Sequence, residues 1–93
     1  MSENKVIEVI TMQDTRVQSI IESMQEIAGD NTVPRNVKEK LNLIVKVLQN
    51  EAEDILLRKD KALSELDEIA EDTNLQAYTR TQIWNLVSVL EMI

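Results

Sequence analysis

Apolar residues recur at steps of three and four along most of the chain, the spacing that places side chains on one face of an α-helix. Four such stripes follow one another, with short polar segments between them. Connections of this length make neighbouring helices antiparallel. The sequence therefore predicts an all-α fold, a four-helix bundle. The stripes consist of Val17, Ile20, Ile21, Met24, Ile27 and Ala28; Val37, Leu41, Ile44, Val45 and Leu48; Ala52, Ile55, Leu56, Ala62, Leu63, Leu66, Ile69 and Ala70; and Ile83, Leu86, Val87, Leu90 and Ile93.

The polar segments contain residues that end and begin helices. Gly29 can adopt the left-handed conformation that closes a helix, so we expect it to end the first one. Thr32 is expected to be the N-cap of the second helix, with Pro34 in the first turn, where its missing N–H costs nothing. Thr73 or Asn74 is expected to cap the fourth helix.

A further apolar segment precedes the first stripe. Val6, Ile7 and Ile10 continue a similar spacing, but two polar residues then interrupt it. The motif at residues 15–18 is a capping box, which would start a new helix. Residues 1–13 are therefore predicted to be an N-terminal helical extension, which either continues the first helix or forms a separate one.

The chain also contains an internal repeat. A shift of 42 residues places Met24–Asn50 over Leu66–Met92 with seven of 27 positions identical. The repeat predicts two αα-hairpins, residues 14–50 and 51–93, related by a pseudo-twofold axis. Together with the extension, residues 1–13, they would form one domain.

Composition excludes most catalytic chemistry. The chain of 93 residues has no histidine and no cysteine, which removes disulfides, Cys/His zinc sites, thiol nucleophiles and imidazole bases. A single glycine rules out glycine-rich phosphate loops. The carboxylates of residues 51–54 and 65–72 lie at positions typical of a solvated face. We therefore predict a protein that is not an enzyme, with no metal and no cofactor.

Charge counts against nucleic acid as a partner. The formal net charge is -7, and residues 47–93 carry 4 basic against 10 acidic side chains, a net charge of -6. One basic cluster, Arg35, Lys38 and Lys40, keeps an alternative open: an accessory factor that contacts a nucleic-acid-containing assembly through these residues.

Surplus apolar residues favour a protein–protein interaction module instead. Leu43, Val47, Val89 and Met92 lie off the main stripes, as residues of a symmetric homodimer interface do. The acidic third helix would select a basic protein partner. The chain has no secretion signal and no apolar run of membrane-spanning length, so the expected location is the cytoplasm, without membrane contact.

Three residues are candidates for binding a partner. Trp84 is one step from Ile83 and so lies at the edge of the fourth stripe, where large aromatic side chains either cap a core or anchor a partner. Arg80 lies four residues before it, where its guanidinium could cover the indole or pair with an acidic residue. Arg35 is the third candidate, with an acidic residue as its expected neighbour.

Several motifs resemble a small archaeal family known as uncharacterised protein family 0147. They are the helix start TVPRN at residues 32–36, the two EIA-x-D helix ends at 26–30 and 68–72, and RTxIW at 80–84. The likeness covers about residues 14–93. It implies a compact four-helical bundle in an archaeal cytoplasm, and it carries no catalytic residue over to this chain.

The chain also departs from that family's pattern. Members often carry a proline shortly before the fourth helix, where this chain has Gln76. Residues 1–13 look like an extension whose conformation the resemblance does not fix.

Overall fold

Four α-helices make up the computed structural model, which describes residues 2–93 and the side chains of residues 15–93. They are α1 (Ser2–Ala28), α2 (Arg35–Gln49), α3 (Ile55–Ala70) and α4 (Ala77–Glu91), and the described residues contain no strand. Each helix packs against the next, and α1 also packs against α4, which closes an up-down-up-down bundle. The prediction of an all-α fold with four helices is confirmed.

A single core fills the space between the helices. Its members are largely the residues of the predicted stripes, because a helix buries the face on which apolar side chains recur. Two loop residues, Val33 and Leu75, close the core at one end. The buried apolar side chains are Ile20, Ile21, Met24, Ile27, Val33, Val37, Leu41, Ile44, Val45, Leu48, Ala62, Leu66, Ile69, Ala70, Leu75, Ile83, Leu86 and Leu90.

The start of the third stripe is an exception. Ala52 lies in the loop before α3, and Leu56, expected in the core, is 60% exposed. The reason is that α3 begins only at Ile55, so its first turn lies at the edge of the bundle, where a neighbouring helix covers little of it.

Helix α1 is much longer than its neighbours. It has 27 residues, whereas α2, α3 and α4 have 15, 16 and 15. At a rise of about 1.5 Å per residue, α1 is roughly 40 Å long and the others about 22 to 24 Å. The backbone runs without a break past Thr15, so the alternative of a separate helix starting there is wrong.

The unequal lengths give the bundle two different ends. We call the end where α2 and α4 finish and α3 begins the lower end, and the opposite one the upper end. Residues 2–14 of α1, which we call the α1 overhang, extend beyond the lower end. The molecule is accordingly elongated, with extents of 52 × 20 × 19 Å.

All three connections have the same hydrogen-bond pattern, built on Asp30, Asn50 and Asp72. The side-chain Oδ1 of each accepts the backbone N–H of the residue two positions on, at 2.9, 3.2 and 2.8 Å. The main-chain carbonyl of each accepts the N–H of the residue three positions on. This is an Asx turn, in which a short polar side chain takes the place of a backbone acceptor.

The structure corrects two expectations about where helices begin. Thr32 is not an N-cap: its N–H and its hydroxyl both donate to Asp30 Oδ1, and Pro34 is the N-cap of α2. Neither Thr73 nor Asn74 caps α4, whose N-cap is Gln76. The starts of α2 and α4 have no side-chain cap hydrogen bond, because the Asp30 and Asp72 carboxylates bind N–H groups of the connections instead.

Gly29 does not adopt the left-handed conformation predicted for it. No described residue, glycine included, has a positive φ. The N–H of Gly29 donates to the carbonyls of Gln25 and Glu26 at 3.0 and 3.2 Å, so it extends the last turn of α1. The next residue, Asp30, reverses the chain through its Asx turn, and this reversal needs no left-handed residue.

Candidate protein-interaction surfaces

Large apolar side chains remain on the surface although the core is complete. Leu56 and Leu57 lie on the first turn of α3, and Met92 directly follows α4. The Lys59 ammonium donates to the carbonyl oxygen of Glu91 at 3.1 Å, which holds the start of α3 against the end of α4. The exposed large apolar residues among those described are Leu43, Leu56, Leu57, Tyr78, Trp84, Val89 and Met92.

A groove between α2 and α3 has several apolar residues in its lining. Its volume is about 420 Å³. Buried Ile44 and Ala62 form its floor, and Leu43 and Val47 line it on the α2 side. The short Ala62 side chain opposite the longer α2 residues leaves space that a bulkier residue would fill. The sequence shows the alanine, but not what lies across from it.

Charged side chains surround this groove. Lys46 and Glu65 line it together with Lys61 and Glu53, whose ammonium and carboxylate form an ion pair at 3.0 Å. Opposite charges therefore stand beside an apolar floor, an arrangement that fixes the orientation of a bound segment.

Trp84 lies on the outer side of α4 with 45% of its surface exposed. The predicted position at the edge of the stripe fits this half-exposed environment, since neighbouring Ile83 is buried. An indole in such a position has an apolar body available for contact and a ring N–H that can donate to a partner.

Arg80, the second binding candidate, is engaged within the bundle. Its Nε donates to the carbonyl of Ala70 at 2.9 Å, and its Nη2 donates to the carbonyls of Asp72 and Leu75 at 2.8 and 3.4 Å. The guanidinium thus caps the C-terminal end of α3, where carbonyls lack intrahelical partners and a positive charge is favourable. The sequence predicts that Arg80 contacts an acidic residue or the indole of Trp84. The structure shows a hydrogen bond to Asp72, but to its backbone carbonyl and not to its carboxylate.

Arg58 occupies the same position in the preceding connection. Both arginines lie four residues after the N-cap of their helix, and Arg58 Nη1 donates to the carbonyl of Leu48 at 2.8 Å. Leu48 precedes its Asx residue by two positions, as Ala70 does. Sequence reasoning missed this capping role, because the distance from the arginine to a carbonyl eight or ten residues back depends on the turn between them.

The basic cluster Arg35, Lys38 and Lys40 lies on α2 near the upper end. The Arg35 side chain is 93% exposed and forms an ion pair with Glu39 at 3.6 Å, so its expected acidic neighbour is present. Lys40 pairs with Glu68 of α3, also at 3.6 Å. Two of these three cations therefore have a carboxylate beside them.

Two aspartates of the upper-end connections have altered acidity. The backbone N–H and then the hydroxyl of Thr32 donate to Asp30 and lower the pKa of its carboxyl group. The pKa of the Asp72 carboxyl group is also lowered. The largest cause is the hydrogen bond from the side-chain amide of Asn36, followed by the hydrogen bond from the backbone N–H of Asn74. The Asn36 Nδ2 donates to Asp72 Oδ2 at 2.9 Å and ties the two upper-end connections together.

The described part of the chain has no group of three Asp, Glu, His or Cys residues arranged to hold a metal ion. Within that same part, each helix is too short or too polar to cross a membrane. The candidate functional surfaces are the apolar and charged ones described above.

Comparison with known proteins identifies the family. The model of an uncharacterised protein family, UPF0147, matches residues 4–93. The chain belongs to this family. The match begins near the start of the α1 overhang, so the resemblance reaches further towards the N-terminus than the expected residues 14–93.

Relatives and a solved structure agree with this assignment. UPF0147 proteins of Methanosarcina acetivorans and Methanosarcina mazei are each 40% identical to this chain, over 100% and 83% of it and 89% and 83% of their own lengths. The crystal structure of a protein from uncharacterized family UPF0147 of Thermoplasma acidophilum is 33% identical. It superposes with a TM-score of 0.81, covering 85% of this chain and 93% of that one.

Proposed function

We propose that the protein is a small non-enzymatic interaction module that associates with itself and with a second protein. The observation that supports this is the set of large apolar side chains left on the surface of a bundle whose core is closed. Three of them, Leu56, Leu57 and Met92, lie at the adjoining ends of α3 and α4, and exposed apolar residues that are grouped are typical of a binding site. The family relationship adds the fold and no activity, since the matching family is described as uncharacterised.

The α2–α3 groove is the proposed site for the second protein. An apolar floor between two parallel walls accepts a helix or an extended segment that inserts apolar side chains. Leu43 and Val47 would contact the inserted side chains, while Lys46 and Glu65 would pair with charges beside them. Acidic residues of α3 favour a basic partner, because the half of the chain that contains α3 carries a net charge of -6.

Trp84 is the proposed anchor on the outer side of α4. Tryptophan is enriched among residues whose truncation costs an interface about 2 kcal/mol or more. Arg80 contributes by holding the end of α3 beside α4, and Arg35 offers the most exposed cation at the upper end.

A pull-down from archaeal lysate with matched variants tests the module. Tagged protein is incubated with lysate after nuclease treatment, and the proteins retained are identified by mass spectrometry. Replacement of a groove residue, Leu43→Gln, and of the anchor, Trp84→Ala, is expected to reduce retention of a stoichiometric partner at least tenfold.

Tyr78→Ala is the matched control, since Tyr78 is also an exposed aromatic residue of α4. Loss of the partner in all three variants alike would point to unfolding or to adventitious binding. Retention of the partner by both Leu43→Gln and Trp84→Ala would contradict the proposed surfaces.

The alternative function is an accessory role in a nucleic-acid-containing assembly. The exposed guanidinium of Arg35, with Lys38 one turn further along α2, supports it. Neutralisation of Arg35 and Lys40 by neighbouring carboxylates weakens it. Binding of duplex or single-stranded RNA whose log Kd rises linearly with log salt concentration would favour this alternative, and absence of binding at low salt would contradict it.

We also propose that the bundle consists of two duplicated hairpins. Most positions 42 residues apart have the same burial in both halves, including Met24 with Leu66, and Val37 with Thr79. The Asx turn alone does not distinguish the hairpins, since the middle connection has it too. The middle connection differs in burial. Three residues after its Asx residue it has Glu53, whereas the other two connections have buried Val33 and Leu75 at that position.

A further inference from the structure

A recess at the lower end of the bundle lies between α1, the end of α2 and the start of α3. Its volume is about 240 Å³. Val17 and Ile21 of α1 and Ile55 of α3 contribute apolar side chains to its lining, and Arg58 of α3 contributes a guanidinium. We call it the lower-end recess. It shares no lining residue with the α2–α3 groove, so it is a separate candidate site.

Arg58 has a donor without a partner. Its Nη1 donates to the Leu48 carbonyl, which leaves the other edge of the guanidinium, Nε and Nη2, for further contacts. The Nε atom is buried and has no hydrogen-bond partner. Buried N–H groups in folded proteins are nearly always paired, because an unpaired donor loses its bonds to water without replacement. The unpaired Nε therefore indicates a place for an acceptor.

Arg80, at the equivalent position of α4, differs from Arg58 in this respect. It uses the same edge, Nε and Nη2, to bind three backbone carbonyls at and after the end of α3. Arg58 is held by one such bond. Neighbouring atoms cover Nε of Arg58, so a ligand reaches it only if the side chain turns. A single hydrogen bond restrains this movement less than the three bonds of Arg80 would.

Charge indicates which acceptor would fit. Within the described part of the chain, the cations of the ion pairs are Arg35, Lys40 and Lys61, so no carboxylate there neutralises Arg58. A carboxylate placed against Nε and Nη2 would accept two parallel hydrogen bonds from a cation, a strong and geometrically specific pairing. Exposed Glu51 also lines the recess, and its charge disfavours ligands with two negative charges, such as phosphate.

We propose that the lower-end recess binds a small monocarboxylate with a short apolar chain. The carboxylate lies against Nε and Nη2 of Arg58, and the chain lies against Val17, Ile21 and Ile55. At about 30 Å³ for each water in the liquid, the recess has room for roughly eight waters, or for a branched chain of a few carbons with its carboxylate. An apolar lining with a few polar groups that fix the orientation is typical of small-molecule sites.

Titration of the full-length protein with isocaproate, followed by nuclear magnetic resonance, tests the site. Isocaproate is a branched monocarboxylate, and isocaproamide is its neutral counterpart of similar shape. The Nε–H resonances of arginine side chains can be observed at mildly acidic pH, and the chain has four arginines. Isocaproate is expected to shift the Arg58 Nε–H resonance to saturation with a Kd of about a millimolar or lower. Isocaproamide is expected to leave this resonance unchanged.

Substitution of Arg58 identifies the resonance and tests the pairing. The peak that Arg58→Lys removes belongs to Arg58, and binding to this variant is followed on the backbone N–H groups of Val17 and Ile21. Lysine keeps the charge but not the planar fork, so the Kd for isocaproate is expected to rise about tenfold or more. Lys59→Met is the matched control, because it removes the cation of the next residue, whose ammonium binds the Glu91 carbonyl. Its Kd is expected to stay within about twofold of the parent value.

Internal carboxylates are the competing acceptors. Glu51 lines the recess, and Asp14 lies one helical turn before Gln18, which also lines it. Glu51→Gln and Asp14→Asn are expected to leave the Arg58 Nε–H resonance of the ligand-free protein in place and the Kd for isocaproate unchanged or lower. A shift of that resonance in either ligand-free variant, as large as isocaproate produces in the parent, would overturn the proposal, since Arg58 would already have its acceptor.

The remaining outcomes separate the carboxylate from weaker causes. Absence of a saturable shift up to about 20 mM isocaproate would overturn the site. Equal responses to isocaproate and isocaproamide would show that the apolar chain alone is bound, and an equal response to inorganic phosphate at the same ionic strength would show a general anion effect. Either result would contradict the proposal. Saturable binding that requires the carboxylate and is weakened by Arg58→Lys but not by Lys59→Met would support it.

Discussion

At the scale of single residues, short polar side chains determine the connections. Asp30, Asn50 and Asp72 each close a turn with one side-chain oxygen, and arginines from the following helices cap α2 and α3. The sequence shows these residues, but it does not show which backbone groups their side chains bind. The EIA-x-D motifs place Asp30 and Asp72 at helix ends, whereas Arg80 is predicted to bind a partner.

Replacement of Gly29 by alanine is expected to stabilise the protein by about 0.5 to 1 kcal/mol. Its φ is negative, and an added Cβ would lie 3.4 Å from the Gln25 carbonyl oxygen, an ordinary contact. Alanine restricts the unfolded chain without straining the folded one. Glu71, the equivalent residue of the α3–α4 connection, already has a side chain there, with φ of -85°. Urea titration measures the change, and a destabilised variant would contradict it.

Protonation of Asp72 is expected to weaken the fold in acid. Because its pKa in the folded protein is below the ordinary value of 3.8, the stabilisation is complete above that value and is lost as the pH falls through the lowered pKa. Asp72→Asn keeps an acceptor for Asn74, as Asn50 shows, but cannot titrate. The melting temperatures of the parent and variant should therefore differ at pH 7 and converge in acid.

Thermal melts between neutral pH and about pH 2.5 measure this convergence. Asp67→Asn is the control, since Asp67 is an exposed carboxylate on the adjacent helix. A constant difference between the parent and Asp72→Asn at every pH would show that titration of Asp72 does not contribute.

Arg80→Met is expected to lower the free energy of unfolding by about 2 kcal/mol, because bonds from a charged donor to the end of α3 are lost and the partly buried carbonyls stay unpaired. Arg58→Met should cost about 1 kcal/mol, as Arg58 makes one such bond. Chemical denaturation provides both values. If Arg80→Met were as stable as the parent but deficient in partner binding, Arg80 would be a binding residue rather than a cap.

At the scale of helices, periodicity predicted the interiors better than the ends. The stripes centred on Leu41 and Ile83 are buried as expected, since a helix in the core can hide only one face. The ends depend on bonds between loop atoms, which is why Thr32 and Gly29 were assigned wrongly. The exposure of Leu56 also lay beyond the sequence, because it depends on where the neighbouring helices stop.

Buried Thr79 provides a prediction about how α4 packs. Its counterpart in the repeat is Val37, and both are almost completely buried. A hydroxyl taken out of water costs more than a methyl group of the same size, so Thr79→Val is expected to raise the free energy of unfolding by about 1 kcal/mol. Thr81→Val, at an exposed site of α4, should stay within about 0.5 kcal/mol of the parent. A destabilised Thr79→Val would show that the hydroxyl is required.

At the scale of the whole molecule, charge and shape are both asymmetric. The second half of the sequence carries a net charge of -6 of the total of -7, and the overhang extends the molecule to 52 Å. Composition predicted the charge. The long dimension follows from a helix whose partners stop halfway, and periodicity alone left open whether that helix was continuous.

Added sodium chloride is expected to raise the melting temperature by a few degrees between about 0.02 M and about 0.5 M, because screening reduces the repulsion among excess carboxylates. The three described ion pairs have partly or largely exposed side chains, so screening costs them little. Melts at fixed pH and protein concentration measure the shift. A lower melting temperature in salt would show that these pairs outweigh the net repulsion.

The shared Asx turn also affects how the chain reaches its fold. Each turn is closed by bonds that span only two or three residues, so it forms without waiting for distant parts of the chain. Successive helices then meet their neighbours directly, and most contacts are local in sequence. Helical bundles of such low contact order fold on the order of microseconds to milliseconds. The three aspartate and asparagine side chains that stabilise the finished loops are therefore also expected to speed the folding of the chain.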